Sequence, residues 1–112
     1  MKVLYHIDEE NKWEMTLGNV KNMINTGKEL GEYFEIEVVA NGVAILEYKR
    51  ESKYYSEFKS LINNNVKFVS CNNSMKKNNI KKEDIYDFIE IVPAGVIEIA
   101  KKQQEGFSYI KP

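Results

Sequence analysis

The segment Val66-Lys67-Phe68-Val69-Ser70-Cys71-Asn72-Asn73-Ser74-Met75 decides the fold. Its β-branched and aromatic run stops abruptly at a polar turn, as a buried strand of a parallel sheet does where it passes into the loop at its carboxyl end. Cys71, the only cysteine of the chain, stands on that boundary. Ligands of open α/β sheets bind outside the carboxyl ends of the strands, so a thiol placed there is positioned to meet a partner. The competing reading is a small buried hydrophobe, because free cysteine is among the most buried residue types. Asn72, Asn73 and Ser74 follow directly and offer backbone N–H groups and capping side chains to a thiolate.

Strand and helix patterns alternate on both sides of this segment. Residues 2–7 are rich in β-branched and aromatic side chains and predict a buried strand. After the polar break at residues 8–11, Trp13, Leu17, Val20, Ile24 and Leu30 recur at helical spacing, with Lys21, Asn22, Asn25 and Lys28 left for the wet side. Gly27 and Gly31 frame the end of that helix near Leu30. Residues 33–39 alternate through Phe34, Ile36 and Val38, which predicts a strand closer to a sheet edge than the first, with Glu35 and Glu37 facing away. Residues 43–46 predict a one- or two-turn helix, and 52–62 a longer one with Tyr55, Phe58, Leu61 and Ile62 on one side. A short helix is expected over 73–78, an exposed turn over 80–85 and a strand over 88–92. Then comes a helix with Val96, Ile99, Ala100 and Gln103 on one face, and a closing strand within 106–112. This alternation predicts a three-layer α/β/α domain spanning residues 1–112, with a mostly parallel five-stranded sheet whose strand order cannot be read from the pattern.

Composition narrows the function. The 29% charged and 43% apolar residues describe a folded globular chain, and a net charge of −1 removes any global electrostatic case for nucleic acid. A single cysteine forms no internal disulfide, and no Cys/His cluster shows metal-ligand spacing, so neither metal nor other cofactor is expected. With no signal-peptide pattern and no apolar run of membrane-spanning length, the expectation is a cytoplasmic protein without membrane contact. The glycine-rich nucleotide motifs are absent.

Parallel strands put all their carboxyl ends on one rim. That rim should receive residues 6–11, Asn41-Gly42, Cys71-Asn72-Asn73 and Pro93-Ala94-Gly95. Cys71 is the candidate nucleophile. Asn72, Asn73, Ser74, Asn41, Gly42, Pro93, Ala94, Gly95 and Asp8 are candidates for binding or for stabilising its thiolate. His6 lies inside an apolar strand and reads as a packed or hydrogen-bonded imidazole before a general base, while Lys76 and Lys77 read as a solvated pair. Among Trp13, Tyr54, Tyr55 and Tyr86, some are expected on a self-association surface.

Three segments together carry a family resemblance: Phe68-Val69-Ser70-Cys71-Asn72-Asn73-Ser74-Met75, Ile91-Val92-Pro93-Ala94-Gly95-Val96-Ile97-Glu98-Ile99, and the ending from Gln103 to Pro112. With the opening Lys2-Val3-Leu4-Tyr5-His6 and the Asn41-Gly42 turn, this ordered set resembles the DsrE/DsrF-like family over nearly the whole chain. The resemblance implies a small cytoplasmic α/β domain of a sulfur-relay class, assembled as a homo-trimer or homo-hexamer. It also implies a cysteine, matched by Cys71, that carries sulfur as a persulfide between donor and acceptor proteins. A non-catalytic ligand-binding or assembly module with Cys71 lining its pocket is the alternative. A metal-dependent or hydrolytic site drawn from His6, Asp8 and Cys71 is the third reading.

Overall fold

The computed structural model describes residues 1–112. Its strands are β1 (Lys2–Ile7), β2 (Glu35–Ala40), β3 (Val66–Cys71), β4 (Glu90–Val92) and β5 (Ser108–Ile110). Its α-helices are α1 (Trp13–Leu30), α2 (Tyr55–Ile62), α3 (Asn72–Lys77) and α4 (Gly95–Gln104), and a 3-10 stretch, Gly42–Tyr48, leads from β2 toward α2. One sheet forms, in the order β4-β3-β2-β1-β5, and every neighbouring pair is parallel.

The path of the chain dictates the layers. It steps from β1 through β2 and β3 to β4 in one direction, then crosses back over the sheet to set β5 beside β1. Right-handed crossovers running in opposite directions lie on opposite faces. The outward steps therefore stack α1, α2 and the Gly42–Tyr48 stretch on one face, and the single return step lays α4 on the other. The two faces are unequal. A core of 21 buried residues, among them Val3, Tyr5, Ile7, Trp13, Leu17, Val38, Phe58 and Phe68, fills the first. Only Leu4, Val39, Val69, Ile99 and Phe107 form the second. Trp13 anchors the larger core through edge contacts with Phe58 and a hydrogen bond from Nε1 to the Ala44 carbonyl at 2.8 Å. Full burial of such a side chain stabilises by roughly 1.5–3 kcal/mol. No helix is long and apolar enough to cross a membrane.

Several expectations need correction. The strand expected near an edge is the middle strand of the sheet, and Glu37 on it is only 2% exposed. Alternation identified the polar side of β2, but it carries no information about a later helix covering that side. Tyr33 lies outside β2 and is exposed, and Leu30, which the spacing put on the buried face of α1, is exposed as well. Trp13 and Tyr86 belong to the core and not to an outer surface; of the four aromatic residues weighed for association, Tyr55 is the exposed one. Val96 also faces outward, beside the exposed Ile97, while Ile99 carries the packing of α4.

Candidate functional site: a hydrogen-bonded thiol at the β3–β4 crevice

Strands β3 and β4 are neighbours, but their outgoing connections leave toward opposite faces. Met75 of α3 joins the larger core, whereas α4 covers the smaller one. Such divergence opens a crevice between the two carboxyl ends, the usual binding position in an open parallel sheet. Cys71 ends β3 there, in register with Val92 of β4, and Gly95 begins α4 two residues beyond Pro93.

Gly95 lies where the side chains of Cys71 and Asn41 approach closely. A β-carbon at this position would stand 3.2 Å from Cys71 Cβ, 3.3 Å from Asn41 Cβ and 3.7 Å from Cys71 Sγ. Without that carbon, the first turn of α4 closes on the thiol and its backbone N–H reaches the sulfur. Burial pushes the Cys71 thiol up. The Ser74 hydroxyl and the backbone N–H groups of Gly95, Ser74 and Asn73 more than offset it, and the thiol is held below its ordinary value. Ser74 is itself fixed, because its Oγ accepts from the Gly42 N–H at 2.8 Å. Gly42 adopts φ +56, a left-handed conformation that suits glycine, and packs against the Asp8 carbonyl.

The remaining rim residues divide into two groups. His6 is tied on both ring nitrogens, with Nε2 2.9 Å from Asn41 Oδ1 and Nδ1 2.5 Å from the Tyr109 hydroxyl. Asp8 pairs with Lys111 at 2.8 Å, and that bond holds its carboxyl below the usual range. The structure thus brings Asn41, Gly42, Asn73, Ser74 and Gly95 around Cys71, with His6 and Asp8 one contact removed. Asn72 instead lines an open groove of about 470 Å³ with Lys82, Asp87, Ile89 and Ile91. Pro93 is exposed, and Ala94 serves as the extended N-cap of α4. No group of three or more His, Cys, Asp and Glu side chains is arranged to hold a metal ion, so His6, Asp8 and Cys71 do not form a ligand set.

Sequence reading missed Tyr109 and Lys111, which reach the rim because β5 lies beside β1. It also missed the buried Glu37. This carboxyl sits 3.9 Å from Lys67 Nζ and 4.0 Å from Lys102 Nζ, and its Oε2 has no hydrogen-bonding partner. Burial first, and the adjacent Glu98 carboxyl next, push Glu37 up to about 8 against the pull of the two lysines. The parallel register that sets Glu37 beside Lys67 was the available signal, but it becomes readable only once strand order is known.

An all-parallel α/β domain with a hydrogen-bonded thiol at its sheet rim defines a class of small, single-cysteine α/β proteins. The chain belongs to the DsrE/DsrF-like family, whose model matches residues 22–112. Among solved structures, it is similar to the protein of unknown function MTH1491 from Methanobacterium thermoautotrophicum. That likeness has a TM-score of 0.90 and 29% identity, over 99% of this chain and 98% of that one. The protein of unknown function BT1422 from Bacteroides thetaiotaomicron shares the fold at a TM-score of 0.77 and 13% identity, with 99% and 94% of the chains covered. The ychN protein from E. coli shares it at 0.77 and 14%, with 100% and 99% covered. No curated protein matches the chain.

Proposed function

We propose that Cys71 accepts sulfane sulfur as a persulfide and passes it to an acceptor thiol. The observation that carries this reading is the set of donors aimed at one sulfur: the Ser74 hydroxyl and the N–H groups of Gly95, Ser74 and Asn73. Thiolate character governs both attack on a sulfane donor and the later role of that sulfur as a leaving group. Membership of the DsrE/DsrF-like family supports the same chemistry. Donor and acceptor are proteins or small thiols that reach the β3–β4 crevice.

The protein works as a homo-trimer or homo-hexamer. The smaller core of five residues, together with exposed Val96 and Ile97 on α4, leaves apolar surface that a second copy covers. A ligand-binding module is the second reading, favoured by the 5% exposure of Cys71. Whole-protein mass measurement after treatment with a sulfane-sulfur donor decides between them. A carrier gains about 32 Da, reversed by dithiothreitol and absent in Cys71→Ser. A protein left unmodified under conditions that load a known carrier is a binding module.

A further inference from the structure

His6 has both ring nitrogens committed, and one of them fixes a side chain of the thiol site. An amide oxygen only accepts hydrogen bonds, so the contact with Asn41 Oδ1 places the ring proton on Nε2. In the neutral ring, Nδ1 then accepts from the Tyr109 hydroxyl. Asn41 Oδ1 is thereby held toward β1, and the NH2 end of the amide is left free. The Asn41 and Cys71 β-carbons flank Gly95 at 3.3 and 3.2 Å from one point, so this amide is rooted beside the sulfur.

We infer that His6 is a positioning residue: it turns the Asn41 amide so that the NH2 group meets the outer sulfur of a Cys71 persulfide. The inference rests on the sulfur-carrier reading. The four donors already described serve Sγ itself. A transferred sulfur stands one S–S bond, about 2 Å, beyond Sγ and needs a donor of its own. In loading, the Cys71 thiolate attacks the sulfane sulfur of a hydropersulfide, R–S–SH. The Sγ–S bond forms, the bond between the two donor sulfurs breaks, and R–S⁻ leaves with the electron pair. The transferred sulfur keeps its proton until water removes it, and the resulting Cys71–S–S⁻ carries its charge on the outer atom. The sulfane sulfur changes carrier with no net oxidation. A hydrogen bond to that charge stabilises the loaded protein relative to the free thiolate and so raises the extent of loading.

A small alkyl hydropersulfide tests the assignment, with the loaded fraction at equilibrium followed by mass and the thiol titrated separately by alkylation. His6→Ala and Asn41→Ala should each lower the equilibrium constant for loading about tenfold, the order expected for loss of one charge-assisted hydrogen bond. The double variant should load no less than either single one. His6→Gln, whose Nε2 stands where the imidazole Nε2 does, should restore the loading. The alkylation midpoint of Cys71 should stay at its wild-type value in all of these variants, which also reports an intact fold. Loading of His6→Ala to the wild-type extent, failure of His6→Gln to restore it, or multiplied losses in the double variant would overturn the inference alone. A wild-type protein that never loads overturns the carrier reading and this inference with it.

Discussion

Replacing Glu37 with Gln should make the protein more stable at pH 8 and flatten its pH dependence. The carboxyl sits in the central strand under α4, 2% exposed, with Glu98 beside it and the ammonium groups of Lys67 and Lys102 no closer than 3.9 Å. Its proton is bound more tightly in the folded chain, up to about 8 from an ordinary 4.5. A group raised in this way contributes stability that is fully present below the unfolded value and lost as pH rises through the folded one. At 1.36 kcal/mol per pH unit of difference, the wild type should lose about 3 kcal/mol between pH 5 and pH 8 from this residue. Gln is isosteric with the protonated form and carries no such penalty. Urea unfolding followed by circular dichroism at pH 5, 6, 7 and 8, at one protein concentration so that assembly contributes equally, measures the difference. The curves for wild type and Glu37→Gln should diverge as pH rises, with the variant above. Parallel curves, or a variant less stable at pH 8, would show that Glu37 is ionised in the folded protein and that its lysine contacts dominate.

Three further outcomes follow from the same geometry. Ser74→Ala removes the hydroxyl from Cys71 and the acceptor from the Gly42 N–H, so the alkylation midpoint should rise; an unmoved midpoint would leave the backbone N–H groups as sufficient. Gly95→Ala sets a methyl group 3.2 Å from Cys71 Cβ and 3.3 Å from Asn41 Cβ, which should push α4 outward, raise the same midpoint and destabilise by about 1–3 kcal/mol in thermal melts. Val96→Glu with Ile97→Glu places two charges on the exposed face of α4 and should convert a trimer or hexamer to monomer in light scattering, while a wild type that is already monomeric at micromolar concentration would defeat the assembly proposal.

What the chain reveals before folding is set by the range of the interactions concerned. Cys71 was legible because its strand, its turn and two of its hydrogen-bonding partners, Asn73 and Ser74, lie within three residues of it. β-branched and aromatic runs along 2–7 and 66–70, and alternation along 33–39, likewise located three strands, since composition and side-chain period are local properties. Strand order is not local, and the misplacement of β2 and Glu37 traces to it. Because β4 connects to β5 across three intervening strands, α4 covers the polar side of β2 and buries Glu37, which the local pattern assigned to water. The same return stroke puts β5 against β1, so Tyr109 reaches His6 and Lys111 reaches Asp8 across 103 residues of sequence. It also brings the N–H of Gly95 onto the Cys71 sulfur. One long connection therefore builds the covered carboxyl, the His6 contacts and part of the thiolate niche together. A change that loosens α4 should disturb the buried carboxyl and the thiol in the same experiment, and ionising Glu37 is the mildest such change: the alkylation rates of Cys71 in Glu37→Gln and wild type should agree at low pH and separate only as Glu37 loses its proton.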